Sequence, residues 1–129
     1  MVLAKGTEKG DFMQNDPREV TPEESEKRMI EELQKIYDPE IPVDIYNLGL
    51  IYDIKCHKDE VSRLNHCKVV MTLTSATCSM SEVLVDLVKT IPSRVEDHSI
   101  EEVDVELVFD PPWSQDKMSD EAKLQLGLL

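Results

Sequence analysis

The sequence predicts an α+β fold: a two-layer α/β sandwich in which helices cover one face of a small mixed three-stranded sheet, in the order α-β-β-α-β-α. Three observations lead there. Two Ser/Thr-x-x-Glu signals are each followed by apolar residues at helical spacing. Two alternating segments flank a short polar loop, the pattern of a β-hairpin. A third alternating segment lies beyond the second helix, so its link to the second strand is expected to be a right-handed crossover. With 129 residues, 40% of them hydrophobic, the chain can bury one core. Residues 21–129 read as that single domain, and residues 1–20 as a polar, disordered arm.

Thr21-Pro-Glu-Glu24 opens the first helix. Thr21 caps, Pro22 suits the first turn, and Glu24 completes a capping box. Met29, Ile30, Leu33, Ile36 and Tyr37 recur on one face, and Asp38-Pro39 is expected to end the helix. Residues 41–48 form an irregular connection, and Gly49 marks a positive φ or a close backbone approach. Strands are predicted over 50–57 and 66–74. Pairing Cys56 with Cys67 puts Leu50, Tyr52, Ile54, Cys56, Cys67, Val69, Met71 and Leu73 on one face. Asp53, Lys55, His57, His66, Lys68, Thr72 and Thr74 then take the other face, with Ile51 and Val70 as apolar exceptions.

Ser79-Met-Ser-Glu82 opens the second helix, whose stripe is Met80, Leu84, Leu87, Val88 and Ile91; Pro92 stops it. The third strand is predicted over 102–109, with Val103, Val105, Leu107 and Phe109 inward. Asp110-Pro-Pro-Trp113 breaks it. Ser119 caps a short last helix through Leu126, with Gly127 just beyond.

The net charge of −13 repels phosphate, which excludes nucleic acid and disfavours anionic membranes. Solubility accounts for the charge; a basic protein partner is the sharper alternative. No apolar run approaches a membrane span, and the first residues lack the pattern of an export signal. Three cysteines, an odd number, argue against a disulfide framework and for a reducing cytoplasm.

Cys56-His57 and His66-Cys67 mirror each other around the hairpin loop and invite a zinc reading. Strand alternation opposes it, because cysteines and histidines leave the sheet on opposite sides. Cys56 and Cys67 are expected to be small buried apolar residues, and the histidines solvated residues near the loop. Cys78 is different. It precedes the second helix, where unpaired N–H groups and the helix dipole favour a thiolate. A reactive thiolate and an inert turn cysteine both fit that position. One thiolate cannot hold a cluster alone, so other side chains, a second subunit or a client would have to help. Asp38 and Glu40 flank Pro39 and could offer oxygen ligands, though a turn in which Asp38 bonds local backbone is the simpler reading. Thr72 and Thr74 are ordinary strand residues or hydroxyls lining a polar pocket. Trp113 covers a sheet edge or anchors a partner.

Asp38-Pro-Glu-Ile-Pro-Val-Asp-Ile-Tyr-Asn-Leu-Gly-Leu50, Met71-Thr-Leu-Thr74 with Cys78-Ser-Met80, and the stretch from Phe109 to Ala122 together resemble the signatures of the SufT-like, PaaD-like family of metal–sulfur cluster biosynthetic domains. The likeness covers about residues 22–128. Three separated motifs in order are more specific than any one. The resemblance implies a non-catalytic, cytoplasmic iron–sulfur assembly factor that docks to scaffold, carrier or client proteins. It implies Cys78, Thr74 and Thr72 as cluster-contacting residues, and Cys78, Asp38 and Glu40 as iron ligands. Contact with iron or a cluster would be transient, with no cofactor held tightly, and a homodimer stays open. Where bacterial members carry Pro-Gly before the cysteine and Gly after it, this chain has Ala76, Thr77 and Ser79; its Cys-Ser-Met is similar to eukaryotic relatives. An accessory subunit of a multicomponent ring oxygenase is the alternative. A thiol enzyme ranks lower, since His57 and His66 are predicted far from Cys78 and His98 lies beyond the second helix.

Overall fold

The computed structural model describes residues 16–38, 41–74 and 81–128. Helix α1 spans Pro22–Leu33, strands β1 and β2 span Ile51–Lys58 and Asn65–Met71, helix α2 spans Ser81–Lys89, strand β3 spans Ile100–Leu107, and helix α3 spans Asp120–Gln125. The sheet order is β1-β2-β3, with β1 antiparallel and β3 parallel to β2, so the expected mixed three-stranded sheet and element order are present.

Local chemistry sets the helix starts. Thr21 accepts from the Glu24 N–H while Glu24 accepts from the Thr21 N–H, a complete capping box. Ser119 caps α3 through the Ala122 N–H, and Gly127 takes φ +75° beyond its end. The proposed capping box of α2 rests on Ser79, which lies outside the described residues, as does Met80 of its stripe. Leu84, Val88 and Ile91 are buried as expected, whereas Leu87 is exposed.

The hairpin register is the one that the sequence suggests: Cys56 faces Cys67 and His57 faces His66. Met29 and Leu33 of α1, Leu84 and Val88 of α2, and Cys67, Val69, Met71 and Val103 of the sheet meet in one core. Both helices therefore cover the same sheet face. The opposite face carries charges, among them Lys68 paired with Glu106 at 2.9 Å.

Several expectations need correction. Helix α1 ends at Leu33, five residues before the predicted stop at Asp38, because Tyr37 leaves it to bridge Asp44 in antiparallel fashion; Tyr37 is exposed. Strand β1 carries a bulge at Tyr52, between the pairs Ile51–Met71 and Asp53–Val70, so the proposed faces shift by one residue there. Tyr52 instead donates its hydroxyl to Pro111 O at 2.7 Å. Leu107 and Phe109 are exposed rather than inward, since β3 stops at Leu107. Of the polar arm, residues 16–20 take a defined conformation: a 3-10 turn at Pro17–Glu19 and a buried Val20. Val20 O accepts from Asn65 Nδ2 and Lys58 Nζ, both at 2.9 Å, which ties the entry of α1 to the hairpin.

The cysteine expectation also fails. Cys56 and Cys67 form a disulfide, with Cα atoms 4.0 Å apart. Directly opposed residues of a non-hydrogen-bonded antiparallel pair come closest of any in a sheet, with side chains on one face, which suits a cross-strand bridge. The two histidines lie on the other face, His57 exposed and His66 half-buried. No four-residue Cys/His zinc site forms there.

Candidate functional site

The site expected from sequence lies where β2 ends and the chain turns towards α2. Cys78 and Glu40 lie outside the described residues. Asp38, Thr72 and Thr74 are described, and the backbone connects the first two. Residues 36–38 run antiparallel to 43–45: Ile45 N–H donates to Ile36 O at 2.8 Å and Asp38 N–H to Val43 O at 3.3 Å. Leu50 N–H then donates to Ile45 O at 3.2 Å, and Thr72 N–H to Leu50 O at 2.8 Å. A chain of backbone bonds thus runs from the Asp38 segment to the end of β2. Val108 N–H donates to Met71 O at 2.8 Å, which brings in the end of β3. In sheets with parallel strands, functional groups collect beyond the carboxyl ends of the strands, and this is that end for β2 and β3.

Asp38 is buried, and its Oδ1 accepts from the Ile41 N–H at 3.1 Å. Asp38 thus bonds local backbone, as the simpler reading of the sequence has it. Asp44, also buried, organises the next stretch. Its Oδ2 accepts from the Asn47 N–H and its Oδ1 from Asn47 Nδ2, both at 2.9 Å, while its carbonyl accepts from the Leu48 N–H. This helical turn swings Val43, Ile45 and Leu48 into the core, so the connection is a packed element and not a loose loop.

Two contacts hold the turn from outside. Trp113 Nε1 donates to Leu48 O at 2.7 Å and packs on the core, which places Trp113 in the chain's own architecture. Gly49 has φ +87°, and a Cβ there would stand 2.2 Å from Lys117 O, so positive φ and close approach both require glycine.

Thr72 departs from its expected outward position. It is fully buried, and its Oγ1 has no hydrogen-bond partner among the described residues. Strand β2 ends at Met71, and both Thr72 and Leu73 are buried, so alternation no longer separates inside from outside. Thr74 is half-buried. A buried, unpaired hydroxyl is uncommon and calls for a physical reason.

Sequence reasoning missed Asp44 and Asn47. Their signal was present: an Asp with a polar residue three positions on, ahead of apolar residues, is a helix-start pattern. It also missed the partner of His66, whose Nε2 lies in hydrogen-bond contact with Glu101 Oε1 at 2.8 Å; this histidine is not simply solvated.

Helices on one face of a three-stranded mixed sheet, with a polar residue buried at the shared carboxyl end of two parallel strands, define a small α+β domain. Comparison assigns the family. Residues 26–105 match the family described as iron–sulfur cluster assembly protein, and the chain belongs to it. It is 40% identical over 93 residues to the Fe-S protein maturation auxiliary factor SufT of Staphylococcus aureus, covering 72% of this chain and 98% of that one. It is 38% identical over 96 residues to the Fe-S protein maturation auxiliary factor YitW of Bacillus subtilis, covering 74% and 87%. Among solved structures, a domain of unknown function, DUF59, from Bacillus anthracis superposes with TM-score 0.72 at 38% identity, covering 84% of this chain and 96% of that one. A conserved hypothetical protein from Thermotoga maritima gives 0.59 at 32%, covering 78% and 92%. Among the described residues no helix is long and apolar enough to cross a membrane.

Proposed function

We propose that this chain is a non-catalytic factor in iron–sulfur protein maturation, which contacts iron or a cluster in transit through Cys78 and docks to a scaffold, carrier or client. The observation that carries the reading is the Thr72 hydroxyl, buried and without a partner among the described residues, just past the end of β2 on the Cys78 side of the sequence. A polar group left unpaired in a packed setting is a standing cost that a bound cargo can relieve. Thr74 adds a second hydroxyl on the same segment. Asp38 and Glu40 are assigned as oxygen ligands for iron, which accepts carboxylate and thiolate donors. Family membership and relatives named as maturation factors support this reading over an oxygenase subunit.

One thiolate is too few for a cluster, so the cargo's remaining ligands come from the partner. Such a site favours handing over rather than keeping. Cys78 precedes α2, described from Ser81, in sequence; helix-terminal N–H groups and the dipole would stabilise a thiolate there.

Anaerobic reconstitution with iron and sulfide tests the ligand role. The wild type is expected to develop cluster absorbance that chelator removes quickly, and Cys78→Ala to develop none. Equal absorbance in both chains, or none in either, would remove Cys78 as a ligand. An anaerobic pull-down then tests docking: the recovered complex should contain iron with wild type and less with Cys78→Ala.

A further inference from the structure

At the other end of β2, His57 and His66 oppose each other across the hairpin with ring centroids 5.7 Å apart. His66 lies five residues before Met71, roughly 17 Å along the strand from the end of β2 that leads to Thr72. Two carboxylates converge on it from different elements. Asp59 begins the hairpin loop, where its Oδ2 accepts from the Val61 and Ser62 N–H groups at 3.0 and 2.9 Å. That anchorage leaves Oδ1 at 4.0 Å from His66 Nε2. Glu101 arrives by a register irregularity: Asn65 pairs with Ile100 and His66 with Glu102, so Glu101 is the extra residue on β3. Bulges re-aim side chains, and here Glu101 Oε1 reaches His66 Nε2 at 2.8 Å.

We propose that His66, Asp59 and Glu101 form a binding site for a divalent first-row cation of the zinc class, distinct from the cluster-handling segment. Their ligand atoms lie within 4.8 Å of one another. Tetrahedral zinc with nitrogen and oxygen ligands sets those atoms about 3.3 Å apart. The 2.8 Å pair must open by about 0.5 Å and the 4.0 Å pair close by about 0.7 Å, shifts that rotation of partly exposed side chains supplies. Side-chain exposures of 24% for His66, 32% for Asp59 and 43% for Glu101 let an ion enter from solvent. Exposed His57, its ring centroid 5.7 Å from that of His66, neighbours the three but is not one of the converging ligands. Imidazole with carboxylate is a donor set that zinc, nickel and copper accept and that magnesium or calcium does not prefer. The loop bonds of Asp59 occupy Oδ2 and the His66–Glu101 contact occupies one carboxylate; Asp59 Oδ1, on the His66 side, is the oxygen left to take an ion.

The test is Zn²⁺ titration by calorimetry on the full, chelator-treated chain carrying Cys78→Ser, which removes the free thiol and separates this site from the proposed cluster function. One Zn²⁺ per chain is expected. Adding Glu101→Gln or His66→Asn should weaken binding at least tenfold, whereas adding Asp104→Asn, an exposed carboxylate of β3 outside the cluster, should change it less than twofold. Nitrogen NMR of the imidazole rings should show His66 Nε2 shifting with added Zn²⁺. The assignment is overturned if the Cys78→Ser chain binds no zinc, if Glu101→Gln and His66→Asn bind as it does, if Asp104→Asn costs as much as Glu101→Gln, or if the His66 ring does not respond.

Discussion

Thr72→Val tests most directly whether the end of β2 keeps a polar group for a purpose. The hydroxyl is fully buried and unpaired among the described residues, while the Thr72 N–H donates to Leu50 O at 2.8 Å. Valine has nearly the same shape and keeps the backbone bond. It removes the buried hydroxyl, whose unrelieved desolvation costs about 1–3 kcal/mol, and adds a methyl group to the core. After allowance for imperfect fit, a gain of about 1–2 kcal/mol is expected, which for a chain of this size raises Tm by roughly 3–10 °C. Urea unfolding followed by Trp113 fluorescence measures it, since Trp113 bonds Leu48 O beside this region. Thr72→Ser, which keeps the hydroxyl and loses the methyl group, should instead lose about 1 kcal/mol. In the reconstitution assay the valine chain should hold less cluster despite its greater stability, because function and stability pull apart where a strained group is kept for use. Loss of 1 kcal/mol or more in Thr72→Val would mean that the hydroxyl is satisfied in solution, and the reasoning would fail.

Two further outcomes follow from the frame around the site. Gly49→Ala should destabilise by about 2–4 kcal/mol, combining the cost of positive φ with displacement of Lys117 from 2.2 Å, and urea unfolding checks it. Acid should weaken the fold through Glu24 and Asp97. Backbone and side-chain hydrogen bonds from Thr21 hold Glu24 below the usual carboxylate range. Burial would raise Asp97, but hydrogen bonds from Ser99 and the Arg28 guanidinium at 2.8 Å outweigh it and hold the group low. Both folded values are depressed, so their stabilisation is full above the unfolded values near pH 4 and fades as pH falls through the folded values. Stability measured by urea unfolding from pH 6 downwards should decline below about pH 4.5, and decline less in Glu24→Gln or Asp97→Asn.

What the sequence made legible follows from the range of the forces involved. Helix starts at Thr21 and Ser119 depend on residues three apart, and the hairpin register follows from the mirrored Cys-His pairs, so local patterns sufficed. The end of α1 was not legible because nothing within the helix stops it at Leu33; its competitor is a bridge from Tyr37 to Asp44, which forms only when the chain folds back. Bulges at Tyr52 and opposite the Asn65–His66 step leave no mark on an alternating pattern, yet they send Tyr52 to Pro111 and Glu101 to His66. The cysteines show the reverse error. Their count and an inferred compartment argued against a bond that the register itself made geometrically available. Of the candidate site, the Asp38 turn was readable, whereas the burial of Thr72 depends on β2 ending at Met71 with both following residues enclosed.

The same distinction bears on how the proposed one-thiol site would work. A single thiolate has little hold on a cargo, so its usefulness depends on neighbours that do not have to be ordered at the moment of contact, since each side chain fixed on binding costs about 0.5–1.5 kcal/mol. Here the segment carrying Asp38 is fixed in advance: Val43, Ile45 and Leu48 lie in the core, Asp44 closes the turn, and Gly49 is pressed against Lys117. Thr72 is held to that turn through Leu50. The packing and hydrogen bonds lie in residues 41–50, outside regular strand or helix, so a stretch that looks like a loop by pattern is a built element of the fold. Weakening that connection at Ile45 or Leu48 should therefore impair cargo contact even though neither side chain touches solvent, because it releases the backbone that holds the polar groups in place.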